Sequence, residues 1–168
     1  MARLLHLLPL TIGALALVAL PASAQSRNRE SLGVYSGWAA FRDEGAARCY
    51  AIAKPRGRNE RAAFASVATW PKRGIRGQLH IRLARPAADG SAPVLRVGGR
   101  RFELVASGRD AWAQDGAMDA AILSALRSAD TLRVTARAAN GGRFTSRYDL
   151  AGVATAMDAA LVACANRD

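Results

Sequence analysis

Beyond the first two dozen residues the chain contains a single histidine, and that count already narrows the chemistry. His80 lies between Gln78 and Arg82 on the polar side of an alternating segment. A nucleophilic triad requires a base beside a Ser or Cys, and a third group that orients the base. No Gly-x-Ser-x-Gly elbow occurs in the chain, so His80 reads as a solvent-facing strand residue. Metal binding has as little support. One His, two distant Cys and scattered carboxylates provide neither close zinc-ligand spacing nor an acidic calcium loop. No metal site, cofactor or catalytic residue is expected. Asp110, Asp115 and Asp119 are neighbours in sequence, and acids at a helix start complement its dipole and cap its free N–H groups. Gly98-Gly99 before Arg100-Arg101 fits neither GxGxxG nor GxxxxGK[ST], and reads as a hairpin turn.

What rises above background is charge. The chain of 168 residues has 24 Lys+Arg and 13 Asp+Glu, a net of +11. Residues 25–101 hold 16 basic and 5 acidic side chains, whereas residues 102–168 hold 7 and 8. Arg is used 22 times and Lys twice. Lys54, Arg56, Arg58, Arg61, Lys72, Arg73, Arg76, Arg82 and Arg85 are therefore expected to form an exposed basic surface. Such a surface attracts polyanions, and the planar guanidinium fork suits carboxylates and phosphates. The competing reading is compositional, since solvated charge needs no partner. Trp38, Trp70 and Trp112 fall near strand or loop ends and are expected to staple a core, not to line a carbohydrate platform.

These side chains must be positioned by one domain. Residues 1–24 read as a cleaved signal peptide: Arg3, an apolar run from Leu4 to Leu20, then Ala22-Ser23-Ala24 as a small-x-small cleavage site. The apolar run is too short and has the wrong flanks for an anchor, which needs about 20 apolar residues. Residues 25–33 are expected to be a flexible arm and residues 34–168 a single globular domain. Export places Cys49 and Cys164 in an oxidising compartment, where they are a candidate disulfide; two unrelated small core residues are the alternative. Closing that loop of 115 residues would stabilise the fold by up to about 4.7 kcal/mol.

Period-two segments dominate the domain. Short strands are expected at 38–42, 48–53 and 64–70, with residues 54–61 an exposed loop. From Ile75 to Leu83, Ile75, Gly77, Leu79, Ile81 and Leu83 share one face, and Arg76, Gln78, His80 and Arg82 the other. Segments 94–97 and 100–106 flank Gly98-Gly99. A second hairpin joins 131–136 to 143–150, with Arg133, Thr135 and Arg137 opposite Arg143, Thr145 and Arg147. Two amphipathic helices interrupt the strands. The first is capped by Asp115, with Met118, Ala121, Ile122, Ala125, Leu126 and Ala129 inward; the second carries Val153, Ala156, Met157, Ala160, Leu161 and Cys164. The fold class expected is mainly β (α+β): an antiparallel sandwich-like domain of about seven or eight short strands with two helices.

The Trp-led first strand at 38–42, the second strand Arg48-Cys49-Tyr50-Ala51-Ile52-Ala53 and the stretch Phe64-Ala65-Ser66-Val67-Ala68-Thr69-Trp70 form a pattern with the signal peptide and with Tyr148-Asp149-Leu150-Ala151-Gly152-Val153 before an Ala-rich helix. In these features the chain resembles the invasion-associated locus B family of exported bacterial proteins. The resemblance implies a β-sandwich-like domain in the periplasm or at the outer membrane of a Gram-negative bacterium, linked in some pathogens to host-cell invasion. It supplies no catalytic residues. Family members often place a Cys near the end of the first strand, where this chain has Phe41 and Arg42, so the family's disulfide pattern is not carried over. The expected function is non-enzymatic: binding or a structural role in the cell envelope, through the basic surface, to anionic lipids or glycans or to another envelope protein. Nucleic acid is not an expected partner, and peripheral membrane contact is. A small periplasmic hydrolase with an unrecognised site is the alternative.

Overall fold

The structure, a computed structural model, describes residues 28–57, 60 and 62–165. The leader at 1–24 and the start of the arm, 25–27, lie outside the described residues, as do Arg58 and Arg61. Eleven strands form two antiparallel sheets, with two helices. β1 (Arg29–Tyr35), β2 (Trp38–Asp43), β3 (Arg48–Ala53), β4 (Phe64–Trp70) and β5 (Ile75–Arg82) run as a meander; β9 (Asp110–Trp112) and β8 (Val105–Ser107) extend it to seven strands in the order β1-β2-β3-β4-β5-β9-β8. β6 (Val94–Val97), β7 (Arg100–Glu103), β10 (Thr131–Arg137) and β11 (Arg143–Asp149) form the second sheet, ordered β11-β10-β6-β7.

Alternation decides which side of each sheet is inside. Trp38, Ala40, Cys49, Ala51, Ala65, Val67, Leu79 and Ile81 of the large sheet and Leu95, Val97, Leu132, Val134 and Tyr148 of the small one are buried in one continuous core. Trp38 joins the layers further by donating its Nε1–H to the Asp149 carbonyl at 2.8 Å. The strand expected at 100–106 is broken in two at Leu104. That side chain is buried, and the chain changes sheets there, with β7 pairing to β6 and β8 to β9. Strands that switch sheets in this way close the corner of a sandwich.

α1 (Gly116–Ser128) begins at Asp115, whose carboxylate accepts the Met118 N–H at 2.7 Å. It sits on β5, where Gly77 has φ +79° and a Cβ would stand 2.3 Å from Leu123 Cδ2. A side chain at 77 would displace the end of the Leu123 side chain and would be strained at that positive φ. α2 (Val153–Ala165) lays Val153, Ala156, Met157, Ala160 and Cys164 over β1 to β4, where Ala40, Ala51 and Ala65 leave room for close approach. Cys164 is bonded to Cys49, with Cα atoms 5.8 Å apart. The candidate disulfide is present.

Three expectations are corrected. Residues 29–33, expected in a flexible arm, belong to β1, a mostly exposed edge strand whose bulge between Ser31 and Gly33 hides the alternation. The strands number eleven, because the sheet switch and the short β8–β9 pair add elements too brief to show a period. Leu161 points outward, 41% exposed, although its spacing put it on the buried stripe.

Candidate functional site

The seven of the nine expected basic residues that are described do not form one surface. β3 and β4 are joined by the loop carrying Lys54 and Arg56, whereas β4 and β5 are joined at the opposite end by a 3-10 turn, Pro71–Arg73. Strands of six to eight residues rising about 3.3 Å each hold those two ends about 20 Å apart. Lys54, Arg56, Arg82 and Arg85 fall at one end, and Lys72, Arg73 and Arg76 at the other. The first group is also partly neutralised. Arg56 pairs with Asp149 and Arg82 with Asp110, while Arg85 lies 4.7 Å over the Phe144 ring.

The second group gains members that sequence reasoning missed. β2 ends and β3 begins at this same end, as does the start of β1, so Arg29, Arg42 and Arg48 join Lys72, Arg73 and Arg76. Six cations face three carboxylates there, Glu30, Asp43 and Glu44. Arg42 pairs with Glu30; Arg29 and Arg48 approach Asp43 at 3.9 and 3.7 Å. Two of these cations meet on Trp70. The Arg48 guanidinium lies 5.1 Å and the Arg73 guanidinium 4.8 Å from its ring centroid, and Arg48 also lies 4.6 Å from Tyr50. Burial pushes the Tyr50 hydroxyl pKa up, against the opposing pull of Arg29 and Arg48. Antiparallel meander geometry was the signal that could have found these residues. Turns at 43–48 and 70–76 must lie at the same end of the strands.

Two clefts open at the pole, both lined by Pro71 and Cys164. A cavity of about 530 Å³ is lined by Arg42, Asp43, Arg48, Lys72 and both half-cystines. A second, of about 270 Å³, is lined by Thr69, Arg76, Leu161 and Cys164. Lys72 and Arg76 have no ion-pair partner among the described residues, and Leu161 and Val162, 41% and 61% exposed, border the same end of α2. The arrangement can hold an anionic head group between cations and place two apolar side chains beside it.

His80 is not the solvated residue the sequence suggested. Its ring stacks on Trp112 (centroids 5.5 Å apart, 11° between planes) and meets the Phe64 edge at 5.2 Å; its Nε2 lies 2.9 Å from Asp110 Oδ1. Arg82 bonds the other Asp110 oxygen at 2.5 Å. Partial burial would raise the Asp110 pKa, but the hydrogen bonds from Arg82 and His80 outweigh it and hold the carboxyl below its ordinary value. Trp112 and Trp70 thus sit on the outer face, and Trp38 is the member of the trio that staples the core. Nor do the three aspartates cluster. Asp110 is in β9 and Asp115 caps α1, while Asp119 accepts the Leu79 N–H at 2.8 Å where β5 runs beyond its neighbour β9. Burial raises the Asp119 pKa, and the bond from Leu79 opposes the shift.

No family model matches the chain, and no curated protein matches it. Among solved structures it is similar to the crystal structure of invasion associated protein B from Bartonella henselae, with a TM-score of 0.61 and 16% identity over 82% of this chain and 99% of that one. The two share a fold. At that identity the likeness concerns the arrangement of sheets and helices alone.

Proposed function

We propose that this protein is an exported, non-enzymatic component of the bacterial cell envelope, of the invasion-associated locus B type, that binds anionic lipid head groups through its basic pole. The observation that carries the reading is the conjunction, at one end of the sandwich, of Lys72 and Arg76, which line clefts at Cys164, with Arg73 of the same turn and with exposed Leu161 and Val162 of the last turns of α2. Each Lys or Arg held near an anionic bilayer surface contributes about 1 kcal/mol of attraction, and apolar side chains entering the interface add to it. The disulfide suits an oxidising compartment, and the fold of the Bartonella protein is consistent with the family.

The test is co-sedimentation of purified protein with phosphatidylglycerol vesicles and with neutral phosphatidylcholine vesicles, at low and at physiological salt. Preferential, salt-sensitive binding to the anionic vesicles is expected, weakened more than tenfold by the triple replacement K72S/R73S/R76S. Equal binding to both vesicle types, or no effect of the triple replacement, would refute the role of the pole.

A further inference from the structure

The outer face of the four-stranded sheet carries a feature separate from the pole. In register, Arg147 pairs with Arg133, Arg133 with Arg96, and Arg96 with Arg101. Four arginines therefore form one row across β11, β10, β6 and β7, and all four are exposed. Two residues along the strands, on the same face, Thr145, Thr135, Val94 and Glu103 make the next row, and exposed Arg143 and Arg137 pair beyond it. Neutralisation is slight. Within these strands the acids are Glu103, bound to Arg101 at 2.6 Å, and Asp149, bound to Arg56. Arg96, Arg133, Arg137, Arg143 and Arg147 have no ion-pair partner among the described residues. Like charges directly opposite on neighbouring strands destabilise a sheet, so this face loses stability for as long as it stays empty.

The floor between the arginines is built to receive a chain. Thr135 and Thr145 bond to each other at 2.9 Å, and a groove of about 330 Å³ runs past Arg96, Arg101, Arg137 and Arg143 over Thr135 and Val94. Strands about 4.8 Å apart set the spacing of the row, so it extends for about 14 Å in a line. Anions repeating at that interval along an extended chain would meet one guanidinium each, and the planar fork gives each contact two hydrogen bonds. The face holds none of the exposed large apolar side chains, which are Val34, Val105, Leu161 and Val162, so it offers no anchor for a bilayer. Its outward side chains include no aromatic ring on which bases could stack, as a single-stranded nucleic acid requires. A linear glycan bearing carboxylate or sulfate groups, with hydroxyls for Thr135 and Thr145, fits what remains.

We propose that the arginine row Arg147–Arg133–Arg96–Arg101 is a binding site for a linear acidic polysaccharide. The site stands independently of the lipid-binding pole. Its test measures fluorescence anisotropy of a labelled heparin oligosaccharide, and of labelled polygalacturonate, with three proteins: wild type, R96S/R133S/R147S and the pole variant K72S/R73S/R76S. Phosphatidylglycerol vesicles and single-stranded DNA are run in parallel. Expected is glycan binding that weakens with salt and falls at least tenfold in R96S/R133S/R147S but less than twofold in the pole variant, with vesicle binding following the opposite order. R96K/R133K/R147K, which keeps charge and loses the fork, should fall between wild type and the Ser variant. Melting of each variant at or above the wild-type temperature shows that folding is intact. The proposal is overturned if R96S/R133S/R147S binds glycan as wild type does, if both triple variants lose glycan binding equally, or if the row's replacement abolishes vesicle or DNA binding and spares the glycan.

Discussion

The basic pole and the arginine row use the same residue type in opposite ways. At the pole, Arg48 and Arg73 meet on Trp70, Arg29 and Arg48 share Asp43, Arg42 pairs with Glu30, and clefts open beside a disulfide. In the row, guanidiniums stand in a flat line at strand spacing and, Arg101 apart, face no carboxylate. The pole is therefore pre-assembled and stabilising, whereas the row is open and self-repelling. Net charge of +11 describes neither. What distinguishes them is that Arg29, Arg42, Arg48 and Arg73 of the pole have an aromatic or acidic neighbour in the folded chain, whereas in the row only Arg101 has one.

The largest expected effect breaks the pole without touching the row. Replacing both cysteines, C49A/C164A, should cost about 2–5 kcal/mol, seen as a lowered urea midpoint. At temperatures where that variant stays folded, vesicle binding should fall while binding of the acidic glycan persists. Loss of both together would mean that the two regions are not separate.

W70A removes the ring on which Arg48 and Arg73 rest. With about 0.5–1 kcal/mol for each cation–π contact and a further loss of apolar packing, destabilisation of about 1–3 kcal/mol is expected by chemical denaturation. R133S should do the reverse, because it relieves repulsion from both Arg96 and Arg147. Stability should be unchanged or higher by roughly 0.2–1 kcal/mol. Destabilisation by R133S would show that the row is held by contacts other than charge.

Asp110 supplies a smaller, pH-dependent contrast, in a cluster that belongs to neither region. Its folded pKa is depressed, so its pairing with Arg82 and His80 stabilises the fold above the ordinary carboxylate pKa of about 3.9, and that contribution is lost as pH falls through the folded value. The stability gap between wild type and D110N should therefore be full at pH 6 and close on acidification below about pH 4. A gap independent of pH would assign the effect to packing against His80.

The contrast also explains what could be read from the chain. Alternation in 131–136 and 143–150 placed Arg133, Thr135 and Arg137 on one outer face with Arg143, Thr145 and Arg147, and the register found pairs Arg133 with Arg147 and Arg137 with Arg143. That β10 pairs with β6 depends on a long-range choice among strands of similar pattern, so the half of the row at Arg96 and Arg101 stayed hidden. The expected basic surface failed because a run of cations in sequence spans both ends of a meander, and chain proximity across a strand is spatial separation. The Cys49–Cys164 bond was legible from helix and strand faces together with the expected export. His80 was placed correctly on its face, but its stack on Trp112 required knowing that β9 returns beside β5.

The most direct measurement of the division of labour is residue-resolved arginine modification by phenylglyoxal, read by mass spectrometry with phosphatidylglycerol vesicles present. Arg73 and Arg76 should be protected while Arg96, Arg133 and Arg147 react as in the free protein. Protection of the row by vesicles, with Arg73 and Arg76 left reactive, would contradict that division.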